Sequence, residues 1–191
     1  MINLSLSIDD GCASDVRVAE LAEKYEISTV FYWPVEWHSL AYDKGYLPLT
    51  FDEAWEIASK HEIGSHTITH RHLTSLSIDE ATEEIRDSQT ILERIFRQPI
   101  DKFCPPRGYT NTLLNSIILK NYKELRLTKG GNLVHIHPDS GANGNIDWRK
   151  RFGVLKDSGI KSVELWGHSW EWDKFNLWED IEEFFSENLH S

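Results

Sequence analysis

The stretch Asn3-Leu4-Ser5-Leu6-Ser7-Ile8-Asp9-Asp10-Gly11 alternates polar and apolar residues as far as Ile8 and turns at Gly11. A period of two marks a β-strand with one buried face. The strand ends in two adjacent carboxylates, and beyond them a strand-then-helix plan repeats along the chain. Ser14 to Tyr25 carries Val16, Ala19, Leu21 and Ala22 at helical spacing, and Thr29 to Trp33 is a β-branched and aromatic strand. Pro34 to Pro48 reads as a long aromatic loop that walls a site. A helix over Phe51 to Lys60 leads into the strand Glu62 to Ser65, then a long amphipathic helix over Ser77 to Phe96. Ser77 followed by Glu80 predicts a capping box at that helix's start.

The second half continues the plan with shorter elements. Strands are expected at Lys102 to Cys104, Glu124 to Thr128, Leu133 to Ile136 and Ser162 to Trp166. Helices are expected at Asn111 to Asn121, Trp148 to Asp157 and Leu177 to Phe185, with a loop of turn formers at Asp139 to Asn145. About seven strands interleaved with helices predict an α/β fold with mostly parallel strands. At 191 residues the chain is short for an eight-fold barrel, so a smaller, distorted barrel of the (β/α)7 type in one domain over 1–191 fits better.

A formal net charge of -11 argues against nucleic acid and anionic surfaces as partners. It fits a neutral or cationic ligand, or simply solubility. No segment reaches transmembrane length, and Met1 leads directly into the first strand, so a cytoplasmic protein without membrane association is the expectation. Cys12 and Cys104 are too few for a disulfide scaffold and are expected as free thiols. Eight tryptophans is a high count, and Trp37, Trp148, Trp170 and Trp172 sit in polar company. Such rings either line a sugar-binding groove or are partly buried surface residues.

Two histidines spaced four apart, in His66-Thr67-Ile68-Thr69-His70, lie just past the apolar end of a strand. On a helical turn that spacing puts both imidazoles on one face. Imidazole is the commonest ligand of zinc-like ions, and such sites usually add a carboxylate. Asp9 and Asp10 offer two, also at a strand end: one to bind the ion, the other to stay free as a base. His168, past the strand that ends at Trp166, is the candidate acid. His38, His61, His72 and His190 read as loop or surface residues; His135 and His137 share one strand face, either as a second metal pair or, as expected, as ordinary strand residues.

Four segments in order, Ser7-Ile8-Asp9-Asp10-Gly11, His66-Thr67-Ile68-Thr69-His70, Phe103-Cys104-Pro105-Pro106-Arg107-Gly108 and Leu165-Trp166-Gly167-His168, resemble the motifs of the polysaccharide deacetylases. These are the NodB-homology enzymes of carbohydrate esterase family 4. The resemblance implies a distorted barrel of about seven repeats and hydrolytic, metal-dependent removal of an N-acetyl group from an amino sugar. It implies one divalent ion, usually zinc, with cobalt or nickel as alternatives, held by Asp10, His66 and His70. Asp9 would be the base, His168 the acid, and the backbone N–H of Arg107 a donor to the oxyanion. Leu165 would floor the acetyl pocket, with Pro106, Tyr109, Trp148, Trp166 and Trp170 as substrate contacts.

The chain departs from this pattern in places. Family members often carry, at the position of Cys104, an arginine that orients the catalytic aspartate; Arg107 is the expected substitute. Asp147-Trp148 matches the fourth motif only loosely, and Gly167 stands where an aliphatic residue is usual. Glu171 either hydrogen-bonds near His168 or faces solvent. Two other readings stay open: an amidohydrolase or deformylase acting on a small or sugar-linked amide, and a carbohydrate-binding homologue without catalysis.

Overall fold

In the computed structural model, which describes residues 2–138 and 147–189, the strand that opens the chain becomes the centre of the sheet. β1 (Asn3–Asp9) is flanked by β2 (Ser28–Trp33) and β7 (Ser162–Gly167), both parallel to it. Beyond β2 lie β3 (Glu62–Ser65), β4 (Lys102–Phe103) and β5 (Glu124–Leu125), and beyond β7 lies β6 (Leu133–His135). Among the described residues the sheet has seven strands, all pairs parallel, in the order β5-β4-β3-β2-β1-β7-β6. This is the expected α/β distorted barrel. Among the described residues it closes no hydrogen-bonded ring, with β5 and β6 as its two edges.

Alternation along the strands sorts two environments. Leu4, Leu6 and Ile8 of β1, Phe31 and Trp33 of β2, and Val163 and Leu165 of β7 are buried in one apolar core with the helices. The other face points into the barrel and is polar. Ser7 Oγ donates to Glu164 at 2.6 Å, and Asp9, Tyr32, Arg126 and Trp166 meet above it. Gly64 of β3 leaves room for the Tyr32 ring, since a Cβ there would lie 2.4 Å from Tyr32 Cδ1. Apolar periodicity therefore marks the core face and says nothing of the polar one.

The helices are α1 (Asp15–Lys24), α2 (Trp37–Lys44), α3 (Phe51–Ala58), α4 (Ile78–Phe96), α5 (Thr112–Asn121), α6 (Trp148–Asp157), α7 (Ser169–Lys174) and α8 (Trp178–Leu189). Capping boxes start α3 at Thr50 and Glu53 and α4 at Ser77 and Glu80. Asn111 and Asp147 cap α5 and α6, so Asp147 is used as a helix cap. Two helices lie where none is expected from the sequence. α2 occupies the middle of the Pro34 to Pro48 segment and ends at Gly45 with φ +77. It is short, and it buries Trp37 and Ala41 rather than a repeating apolar stripe, so no helical period shows. α7, six residues long, is likewise too brief to carry a period.

His61 lies in the loop before β3, as expected, but its ring is turned inward, packing edge-on to Phe31 at 5.6 Å, and burial lowers its pKa. The predicted loop at 139–145 and His190 lie outside the described residues. Among the described residues no helix is long and apolar enough to cross a membrane. Leu6 is 1% exposed at the sheet's centre. Leu6→Ala should lower unfolding stability by about 2–5 kcal/mol in urea denaturation, through lost burial plus the cavity it leaves.

Candidate metal and catalytic site

The carboxyl ends of the parallel strands converge on a cleft of about 960 Å3. In α/β sheets that edge collects functional side chains, because loops there are free to bend. β1 ends at Asp9, and the next two residues take φ +88 at Asp10 and +79 at Gly11. A regular strand would point Asp9 and Asp10 to opposite faces. The left-handed pair turns the chain so that both carboxylates reach the same place. At Gly11 a Cβ would fall 2.8 Å from Trp37 Cβ, which fixes glycine there.

The two histidines arrive by a different route from the one their spacing predicts. The segment after β3 is an irregular loop, with φ +73 at Thr67 and +59 at His70, and no helical turn. Glu84 of α4 organises it: its carboxylate accepts from the backbone N–H of Ile68 at 2.8 Å and of Thr69 at 3.0 Å, and from the Thr69 hydroxyl. His70 N–H donates to Thr67 Oγ1 at 3.0 Å. The rings end 4.8 Å apart between centroids, both aimed at Asp10. His66 Nε2 lies 3.7 Å and His70 Nε2 3.2 Å from Asp10 Oδ1.

These three donors suit a divalent ion. Asp10 Oδ1 is buried and has no hydrogen-bond partner in the protein, which is costly unless something else binds it. His66 Nδ1–H donates to the Cys104 carbonyl at 2.7 Å, so Nε2 carries its lone pair toward Asp10. Burial lowers the His66 pKa to about 4, which keeps the ring in the neutral, ligating form. Burial alone would raise the Asp10 pKa. The charges of His168 and Lys44 and the contact with His70 reverse that and hold it well below the usual carboxylate range. Asp10 Oδ2 accepts from Lys44 Nζ at 2.6 Å and from Trp170 Nε1 at 3.2 Å.

Asp9 is held by an arginine that lies outside every motif. Arg126, just past β5, ion-pairs with Asp9 Oδ1, with both side chains almost fully buried. Its guanidinium lies 4.8 Å from the Tyr32 ring centroid and 5.1 Å from that of Trp166. Burial works against the guanidinium charge, and Asp9 more than offsets it, leaving the Arg126 pKa raised. Arg107, the expected partner, instead is exposed at the cleft rim, in a 3-10 turn with φ +57. The Cys104 Sγ–H points to Asp9 Oδ2 at 3.9 Å; burial raises that thiol's pKa well above normal. Both cysteines are free. The sequence holds one signal for Arg126: a lone arginine between Leu125 and Leu127 at a strand's carboxyl end.

His168 precedes α7 and faces Asp10 Oδ2 across 3.8 Å. Its Nδ1–H donates to Glu171 Oε2 at 2.8 Å, which settles the role of Glu171 in favour of a hydrogen bond. His135 Nε2 and His137 Nε2 flank the same carboxylate at 3.8 and 3.5 Å. Buried Asp15 braces this corner from below, accepting from Trp33 Nε1 at 2.8 Å and Ser169 Oγ at 2.5 Å.

Asp9, His66, His70, Arg107, Trp148, Trp166, His168 and Trp170 all line the cleft, while Asp10 lies beneath it. Three expected contacts do not. Leu165 points to the core face opposite Trp166, and Pro106 is buried behind the rim. Tyr109 is 54% exposed and packs on His72 instead. Trp37 and Trp172 are fully buried, so they are core rings rather than groove walls. The buried ion pair gives a test: Arg126→Ala strands the Asp9 carboxylate and should cost about 3–5 kcal/mol in urea denaturation. Arg107→Ala should stay within about 0.5 kcal/mol; the reverse order would return the pairing role to Arg107.

Solved structures share this architecture. The CE4 family pseudoenzyme BA3943 of Bacillus anthracis is 17% identical at a TM-score of 0.61, over 87% of this chain and 54% of that one. A BA3943 mutant with restored enzymatic activity is 19% identical at 0.62, over 87% and 56%. The peptidoglycan deacetylase PdaC of Bacillus subtilis is 20% identical at 0.57, over 87% and 74%. The chain thus spans little more than half the length of the BA3943 chains, and at these identities the likeness speaks for the fold. No curated protein sequence matches the chain. The sequence pattern of the polysaccharide deacetylases, in contrast, matches residues 3–128, from β1 to just past Arg126. With more than half the chain so matched, the protein belongs to the polysaccharide deacetylase family.

Proposed function

We propose that the chain is a metal-dependent hydrolase that removes the N-acetyl group of an amino-sugar substrate. The observation that carries this reading is the convergence of Asp10 Oδ1, His66 Nε2 and His70 Nε2 within 4.8 Å of one another, with the Asp10 oxygen buried and unpartnered. A zinc ion held there would supply Lewis acidity to the acyl oxygen and to the attacking water. Every other task falls to side chains already in place.

Asp9 would take the proton from the attacking water. Its Oδ1 is paired with Arg126 and its Oδ2 faces Cys104, which holds the carboxylate in place beside the Asp10–His66–His70 group. The backbone N–H of Arg107 would donate to the oxygen as it gains charge. His168 would protonate the departing amine through Nε2, since Nδ1 is engaged by Glu171. Burial lowers the His168 pKa, but the carboxylates of Asp10 and Glu171 outweigh it and raise it to about 8. A proton donor is therefore charged at neutral pH and close enough to its pKa to give the proton up. Trp170 offers a flat face to a sugar ring and is steadied by stacking on Tyr46 at 5.6 Å, whereas Trp166 is already covered by the His135 ring stacked on it at 3.8 Å and by the Arg126 guanidinium at 5.1 Å.

Some structural neighbours are pseudoenzymes, which keeps a non-catalytic reading in view. Against it, Asp9, Asp10, His66, His70 and His168 are all present and mutually oriented.

Metal-stripped protein should release acetate from N-acetylglucosamine oligomers only after zinc is returned. Asp9→Asn should cut that rate by about 10²–10⁴-fold without loss of bound zinc. Zinc bound at one equivalent with no acetate released would move the substrate to a small amide or leave binding alone. For His168 the sign of the pH effect is fixed. The acid must be protonated, so activity falls as pH rises through its pKa. Glu171→Gln removes one of the anions that raise that pKa. The alkaline limb of kcat/KM should then move to lower pH, by about one unit or more. A limb that stays in place would remove the His168–Glu171 pair from the proton transfer.

A further inference from the structure

The cleft carries a charge pattern opposite to that of the chain. The protein's formal net charge is -11, yet one wall of the cleft presents Arg107, Lys129 and Arg151. They come from three elements: the turn after β4, the segment after β5, and α6. Local packing makes them one surface. Gly108, next to Arg107, lies so close to Thr128 that a Cβ would fall 2.0 Å from the Thr128 hydroxyl oxygen. Lys129 is next to Thr128 in the chain, and the Arg151 guanidinium donates to the carbonyl of Gly131 at 3.2 Å.

None of the three has a carboxylate partner among the described residues, whereas Arg71, Arg86, Arg126 and Arg149 each pair with one. The cleft's own acids are engaged elsewhere. Asp9 is held by Arg126, and Glu171 by His168. Lys44, on the opposite wall, is committed to Asp10. Among the described residues, the positive charge on the Arg107–Lys129–Arg151 wall is therefore not neutralised by a carboxylate.

We propose that the substrate carries an anionic group, a phosphate or a carboxylate, beside its acylamino sugar, and that Arg107, Lys129 and Arg151 receive it. This rests on the deacetylase reading for the acyl half of the substrate only. Guanidinium forks match the oxygen pairs of both anions, and an ammonium adds a point charge without directional demand. A cleft wall focuses such charge more than an open surface does, while the overall acidity acts over longer range and is screened by salt. A formal net charge of -11, which by itself suits a neutral or cationic ligand or simply solubility, does not describe this wall. The total charge averages over the whole chain, whereas Arg107, Lys129 and Arg151 share one wall of the cleft.

The test uses the zinc-loaded full chain with N-acetylglucosamine, its 6-phosphate and N-acetylmuramic acid, each followed by acetate release. The ratio of kcat/KM for charged over neutral sugar is compared between wild type and a Lys129→Gln/Arg151→Gln variant. Partial misfolding cancels in that ratio. The wild type should favour a charged sugar by about tenfold, as expected of two or three half-exposed ion contacts. The preference should fall to near one in the variant and at high salt. Preference for the 6-phosphate alone identifies phosphate; preference for both charged sugars identifies a general anion site. Equal turnover of charged and neutral sugar, unmoved in the variant, overturns the proposal and leaves the deacetylase reading intact. If no sugar is hydrolysed, the deacetylase reading falls, and calorimetric binding of N-acetylglucosamine 6-phosphate decides. Salt-sensitive binding that is lost in the variant keeps the anion wall, and absence of binding removes it.

Discussion

The buried ion pair between Arg126 and Asp9 is the constraint around which the barrel's interior is arranged. A carboxylate and a guanidinium taken out of water lose several kcal/mol of hydration each, and recover it only with close geometry and further contacts. Here the guanidinium lies between the Tyr32 and Trp166 rings, with Glu164 at 4.0 Å from its Nε. Those partners come from β1, β2, β7 and the end of β5, so satisfying one charge fixes the relative heights of four strands. Gly64 answers the same demand, since Tyr32 must lie flat where a larger residue on β3 would push it away.

The arginine can therefore leave its usual place in the family without loss of the pair. A guanidinium sits at the end of a long flexible stem, so the position of the charge is only loosely tied to that of the Cα. The site of the expected arginine is Cys104, just past β4; Arg126 projects from the neighbouring strand at the same end of the barrel. Phe103 and Leu125 are paired neighbours, which puts Cys104 and Arg126 side by side. Arg107 is nearer in sequence, but its turn with φ +57 carries it to the rim. Proximity along the chain is the wrong guide here; proximity across the sheet is the right one.

The same distinction separates what is legible in the sequence from what is not. The parallel sheet, the barrel class and the capping box at Ser77 are local or periodic features, and they read directly. So do Asp9, Asp10, His66, His70 and His168 as a group, because each stands where an apolar strand runs out. The bends that make them a site do not read. Positive φ at Asp10, Thr67 and His70 has no glycine to announce it, and is held in place by distant groups such as Glu84. Helices α2 and α7 escape the pattern because each is too short to show a period and is stabilised by one or two buried tryptophans. Trp37 and Trp172 look exposed in the sequence for the same reason: polar neighbours along the chain say little about neighbours in space.

Asp10 shows how those distant groups shape the chemistry. Its two oxygens have different surroundings. Oδ2 accepts from Lys44 and Trp170 and lies 3.8 Å from His168, while Oδ1 faces only the two imidazoles of the His loop. A carboxylate divided in this way offers one oxygen toward His66 and His70. Lys44 and Trp170 also touch each other, with the ammonium 5.3 Å from the ring. They therefore act as one brace, built from the end of α2 and from α7. The two helices least visible in the sequence are thus the ones that set the orientation of the residue at the centre of the site. Neither has a long apolar face to recommend it, and both are needed because the strained turn at Asp10 has to be held from the side the strands do not reach.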